Sequence, residues 1–203
     1  MEKLNTRNIV LMLMILAAIA VRFVSYYASA FTTYHGSALS NFAAISNFTP
    51  VGAVALFGGT YFTDKWKAYL VPLLSLFISD IILNYLYSSR LSIDYSATIW
   101  VYLSFAIIVF IGTQIKKVNF LSVGAASLLS VIIFWLLTDF PWLYGGNLYP
   151  HTWAGYMQSL TAAIPFQRNM LFGDVVFGLL LFGGFELAKT KYSVLRSSPK
   201  LAV

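Results

Sequence analysis

Six polar side chains interrupt stretches that are otherwise almost wholly apolar: Arg22, Asp80 with Asn84, and Arg168 and Asn169 with Asp174. An ionisable group at the centre of a membrane helix costs about 2.5–3.5 kcal/mol on insertion scales. Each charge is therefore expected to be paired or to face a polar cavity. Asn84 lies one helical turn after Asp80, on the same face. Two arginines and two aspartates balance, and two readings stand side by side. Arg22–Asp80 and Arg168–Asp174 are ion pairs that fix helix register, or some of these groups line a ligand pocket. The readings are compatible, because pocket walls need fixed side chains.

A second group of residues lies in 139–167, where Trp142, Tyr144, Tyr149, Trp153 and Tyr156 alternate with Asn147 and His151, and Gly145, Gly146, Pro141 and Pro150 enforce turns. Trp and Tyr collect at membrane interfaces, so an aromatic belt accounts for the rings. A lid over a vitamin-sized ligand accounts for the rings and the polar groups together. The segment Thr152–Ile164 can form a short amphipathic helix lying along the interface. A third element is Asn47-Phe-Thr-Pro-Val-Gly-Ala-Val-Ala-Leu-Phe-Gly-Gly. Pro50 frees a backbone carbonyl beside Asn47 and Thr49. The glycines allow close helix packing, or the helix is broken beside a cavity. The segment 31–41 is uncharged and rich in hydroxyls, and can add hydrogen bonds.

These residue types exclude several chemistries. There is no cysteine, hence no disulfide, thiolate metal site or cysteine nucleophile. His35 and His151 are far apart and no carboxylate cluster accompanies them, so neither a metal nor another cofactor is expected. A nucleophile elbow, a His-Glu-x-x-His motif and an ATP-binding loop are all missing. Asp139 with His151 is the one tempting acid–base pair. The chain reads as a non-enzyme.

The elements that position these residues follow from composition. Of 203 residues 59% are hydrophobic and 10% charged, against about 25% charged in soluble domains. Mean hydropathy is +0.77. Too few polar residues remain for a soluble shell, which excludes a soluble enzyme or a nucleic-acid-binding domain. The expected class is an all-α integral membrane protein whose solvent is the lipid bilayer. Apolar runs predict helices at about 9–30, 41–62, 68–87, 96–115, 120–138 and 168–188, each of roughly 18–22 residues, enough for a hydrocarbon core of about 30 Å. Residues 1–191 form one compact six-helix domain with an outer loop or lid at 139–167, and 192–203 form a basic tail.

Ten of the 13 basic residues fall on one face of this layout: Lys3, Arg7, Lys65, Lys67, Lys116, Lys117, Lys189, Lys191, Arg196 and Lys200. The positive-inside rule puts both termini in the cytoplasm. The short connections, 63–67 and 116–119, are then cytoplasmic and the long one faces out. The expected site is an outward-facing pocket formed by Arg22, Asn47, Asp80, Asn84, Trp142, Tyr144, Asn147, His151, Trp153, Arg168, Asn169 and Asp174.

The Asn47–Gly59 stretch, the stretch Leu70-Val-Pro-Leu-Leu-Ser-Leu-Phe-Ile-Ser-Asp and the late Pro165-Phe-Gln-Arg-Asn-Met-Leu-Phe-Gly-Asp together resemble a family of small bacterial membrane proteins over nearly the whole chain. That family is similar in size and six-helix layout to the substrate-binding S components of energy-coupling-factor (ECF) vitamin transporters. The resemblance implies a multi-pass protein of the bacterial cytoplasmic (inner) membrane. It implies uptake of a small organic nutrient, a vitamin or its precursor, bound under loops 1, 3 and 5. It also implies an ECF-type energising module as partner. Here the sequence departs from the pattern: helix 1 carries Ala17, Ala18 and Ala20 but no Ala-x-x-x-Ala pair. The alternative expectation is a structural or assembly subunit of a membrane complex with no small ligand of its own.

Overall fold

The computed structural model describes residues 5–34, 48–88, 95–143 and 148–196, and at 25–34, 87–88, 95–97 and 142–143 the backbone alone. The architecture is all-α. The elements are α1 (Thr6–Tyr34), α2 (Val51–Tyr61), α3 (Lys65–Ser88), α4 (Tyr95–Gln114), α5 (Phe120–Asp139), a 3-10 turn (Phe140–Leu143), α6 (Trp153–Gly178), a π turn (Leu179–Gly183) and α7 (Gly184–Lys191). The last three run as one 39-residue rod, so the helices number six among the described residues. Four of them are long and apolar enough to cross a membrane: Thr6–Val24, Lys65–Leu86, Phe120–Asp139 and Trp153–Lys191. Large apolar side chains such as Leu13, Ile99, Phe110 and Leu180 face outward on all sides. This layout is compatible with a multi-pass membrane protein.

The helix ends carrying Lys65, Lys67, Lys116, Lys117, Lys189 and Lys191 gather at one end of the bundle. Arg7 of α1 donates to the Tyr61 carbonyl that closes α2. The Tyr61 hydroxyl donates to Glu186 of α7 at 2.6 Å, and Lys189 bonds the same carboxylate at 2.8 Å. Rings of Phe57, Tyr61, Phe182 and Phe185 pack edge to face or tilted around this network. Asn119 caps α5 through a reciprocal pair of bonds with Ser122.

The centre of the bundle is α2. Ten of its 11 residues are buried, all but Thr60. It is enclosed by α1, α3, α4, α5 and α6. Its small residues explain why such a short helix can be wrapped completely. A Cβ on Gly59 would collide with the Val109 carbonyl and stand 3.0 Å from the Gly112 Cα. A Cβ on Gly58 would strike the Pro72 ring. The Thr60 hydroxyl bonds the Leu56 carbonyl at 2.8 Å and the Gly112 carbonyl at 3.1 Å, tying α2 to α4. Overpacking typically costs about 1–3 kcal/mol, and here backbone meets backbone, which cannot rotate away. Gly59→Leu should lower stability by about 3 kcal/mol, the top of that range, read as an earlier midpoint in SDS titration. A midpoint like that of the parent would mean that the α2–α4 crossing is looser than these distances.

Two boundaries differ from the sequence expectation. The described helix in the 41–62 region begins only at Val51, with Pro50 as its N-cap; residues 41–47 lie outside the described residues. The loop expected at 139–167 is largely helical. Phe140–Leu143 form a 3-10 turn, and α6 starts at Trp153 rather than near 168. The Thr152 hydroxyl caps that start by accepting from the Gly155 amide at 3.2 Å. The helix expected at 152–164 is thus continuous with the last span; hydropathy separates the two because Gln158, Thr161, Pro165 and Gln167 dilute the run, while the inward face (Tyr156, Ser159, Leu160, Gln167) keeps helical spacing. The Trp135 indole donates to the Leu160 carbonyl at 3.0 Å, and Val118–Phe120 share a groove with Glu186. From 120 to 135 is about 22 Å of helix, whereas from 160 to 186 is about 39 Å. The long rod therefore cannot run parallel to α5 throughout, and Pro165 is the residue that permits a bend.

The small residues Gly173, Gly178 and Gly183 of the last rod pack only in part. Gly173 lies against the Thr49 backbone, but a Cβ on Gly178 or Gly183 would meet nothing within 4 Å among the described residues.

Candidate functional site

Two polar centres stand away from the basic end. The first joins α1, α3 and α4. Arg22 and Asp80 form an ion pair at 2.7 Å. Arg22 also donates to the Ser79 hydroxyl, and the Tyr102 hydroxyl donates to the second oxygen of Asp80 at 2.7 Å. Both charges are thereby neutralised, and three helices are locked in register. The expected Arg22–Asp80 pair is formed. Tyr102 and Ser79 were not foreseen; the signal that could have found Tyr102 is a hydroxyl-bearing ring in the middle of an otherwise apolar run. Asn84 follows one turn later on α3 and is exposed.

The second centre is Asp174. Its carboxylate is completely buried and neither oxygen has a hydrogen-bond partner among the described residues. It packs against the Gly52 Cα so closely that a Cβ there would overlap it. It also lies beside the Ala53 amide, outside strict hydrogen-bond geometry. Gly52 and Ala53 belong to the first turn of α2, whose amides have no intrahelical acceptor, and Pro50 provides no side-chain cap. Gly173, one residue before, lets α6 approach the Thr49 backbone. An acidic side chain of one helix is thus delivered to the positive end of another.

The depth of this centre follows from helix rise. Asp174 is twelve residues, about 18 Å, from Glu186, and Gly52 is nine residues, about 14 Å, from Tyr61. Both counts start at the basic end and reach roughly the middle of a 30 Å hydrocarbon layer.

The expected Arg168–Asp174 pair is not formed. Six residues along one helix amount to about 240° of rotation, so the two point to different faces. Arg168 is exposed, whereas Asp174 points into the bundle. Asn169 is half-buried on a third side. His151 and Trp153 are exposed around the start of α6, and the Trp153 ring lies 6.0 Å from Tyr156. Tyr156 in turn meets Phe140, whose ring lies 4.9 Å from Trp100. Asp139 is buried within reach of the Ser159 hydroxyl. Trp142 lies in the 3-10 turn, with its side chain outside the described set. Asn47, Tyr144 and Asn147 lie outside the described residues, as do 35–47 and 89–94, which make up most of loops 1 and 3 under which a ligand was expected.

A groove of about 280 Å³ runs from Asp174 to Glu186 between α5 and the π turn. Gly124, Ser127 and Gly178 line it, and a Cβ on either glycine would meet open space. A π turn inside a helix often accompanies a functional site.

A sequence-family model described as "Family of unknown function (DUF6580)" matches residues 2–198, nearly the whole chain. No curated protein and no solved structure matches this sequence.

Proposed function

We propose that this chain, which belongs to the DUF6580 family, is a substrate-binding protein of the bacterial cytoplasmic membrane that serves uptake of a small organic nutrient. In this reading both termini are cytoplasmic, because ten of 13 basic residues fall on one face. The ligand enters from the opposite face and descends toward the positive end of α2. The observation that carries the reading is Asp174: completely buried, unpartnered among the described residues, and seated at the start of a half-length helix at mid-depth. A carboxylate is acceptor-only, so the ligand end that reaches it carries a cationic or donor group. The Arg22–Asp80–Tyr102 centre then serves as the rigid wall beside the path.

Thermal stability of the purified protein against thiamine, riboflavin, biotin, folate, cobalamin and cobinamide tests this. A binder at 100 times its dissociation constant stabilises by about 2.7 kcal/mol. One ligand should raise the melting temperature, and the rise should vanish in Asp174→Asn. A flat panel, with no small molecule co-purifying, would overturn the reading.

A second reading, an assembly subunit without its own ligand, is favoured by one observation: the glycine-lined groove beside the π turn is open where a neighbouring helix could pack. It predicts a stoichiometric partner on purification and loss of that partner in Gly178→Leu.

A further inference from the structure

Between α1 and α3 lies a groove of about 360 Å³ walled by Leu16, Ile19, Phe23, Leu74 and Ile78. Toward the basic end it adjoins a second cavity of about 580 Å³, which shares Met12 and Val71 with it. The two differ sharply in chemistry. The groove is apolar but for Ser75 and Ser79. The basic-end cavity is rimmed by Asn5, Asn8, Thr63, Asp64, Trp66 and Lys67.

We infer that this joined cavity holds one phospholipid of the leaflet at the basic end, with an amine-bearing headgroup in the polar part and an acyl chain in the groove. Three observations converge. The first is length. From Met12 to Phe23 the groove follows about 16 Å of helix, which matches the roughly 15 Å depth of one leaflet's hydrocarbon. It ends where Arg22 donates to Ser79, a polar stop at the depth where the chain would end.

The second is an unsatisfied acceptor. Asn8 borders the cavity and is 8% exposed, and its buried side-chain oxygen has no hydrogen-bond partner among the described residues. A buried acceptor left alone is costly, and a rotation of the Asn8 amide toward the cavity would let an ammonium supply the missing donor. The third is charge. Asp64 and Lys67 form a pair at 2.6 Å on the same rim, so the cavity offers one anion and one cation. A zwitterionic head, ammonium plus phosphate, complements that pair better than a purely anionic one. Trp66 is 63% exposed with the Lys67 ammonium 5.2 Å over its ring, the position at which a tryptophan marks the headgroup level.

The test is native mass spectrometry of the full-length protein titrated with phosphatidylethanolamine or phosphatidylglycerol of identical chains. The protein should retain the ethanolamine lipid at least tenfold more tightly. Asn8→Leu, which removes the unsatisfied oxygen without opening a cavity, should erase that preference while leaving the thermal unfolding midpoint no lower than that of the parent. Ala20→Phe, which fills the groove, should lose both lipids. Equal retention of the two lipids, insensitive to Asn8→Leu, would mean ordinary annular lipid and overturn the assignment. Preference for the glycerol lipid would overturn the amine. Binding of chain-free phosphoethanolamine as tight as the lipid would overturn the acyl groove.

Discussion

Arg22→Met should destabilise the bundle by about 3–5 kcal/mol, whereas Arg22→Met combined with Asp80→Leu should recover most of that loss. The asymmetry comes from what each change leaves behind. The guanidinium holds Asp80 at 2.7 Å and reaches Ser79 as well. Arg22 lies fifteen residues from Arg7, about 22 Å from the basic end, well inside a 30 Å hydrocarbon layer. Removing the arginine alone strands a carboxylate in a medium that cannot solvate it. Removing both replaces two desolvated charges by apolar contact, a change that is often neutral or better. Tyr102→Phe takes away one charge-assisted bond at 2.7 Å and should cost about 1.5–3 kcal/mol. SDS titration of the parent, Arg22→Met, Asp80→Leu and the double variant gives the cycle. Near-additive single effects would mean that the pair is hydrated and that α1, α3 and α4 are held by packing alone.

How far such a network could be read from sequence depends on the kind of signal. Hydropathy located α1, α3, α4 and α5 within a few residues over most of their ends, because a lipid-facing helix must be apolar over its full crossing. It could not tell that α2 is half as long and faces no lipid. An apolar, glycine-rich run reads the same whether protein or lipid surrounds it. It also stopped short at the start of α6, where Gln158, Thr161 and Gln167 break the apolar run; the Thr152 cap and the 3–4 spacing of Tyr156, Ser159 and Leu160 carried the helical signal.

Charge balance pointed correctly to Arg22–Asp80, since the two lie on separate helices free to meet. It misled for Arg168–Asp174, where rotation along a single helix already forbids contact. That Asp174 would meet Gly52 was legible only in residue types: an acid that needs room, and a glycine that provides it.

Asp174→Asn should raise stability by about 1–3 kcal/mol and cut ligand affinity by at least tenfold. The first effect follows from the charge, because burying a carboxylate without a partner costs more than burying a neutral amide of the same volume; both oxygens are without a partner among the described residues. Asparagine keeps the volume and offers an uncharged oxygen to the first turn of α2. The second effect follows from the loss of a charge-assisted bond, about 1.5–3 kcal/mol, where 1.4 kcal/mol is a factor of ten. A residue kept at a cost in stability for the sake of binding predicts that the two observables move in opposite directions.

A residue that merely caps α2 predicts the reverse. Asp174→Asn would then be neutral, Asp174→Ala would lose about 0.5–2 kcal/mol, and binding would fall only as the fold does. Gly52→Ala supplies the control, since its Cβ would overlap the carboxylate. It should be severe alone and mild in an Asp174→Ala background, with a coupling of about 1–3 kcal/mol. Additive effects of those two substitutions would mean that the carboxylate does not rest on Gly52. The stability of Asp174→Asn, set beside its affinity, then separates a binding carboxylate from a cap.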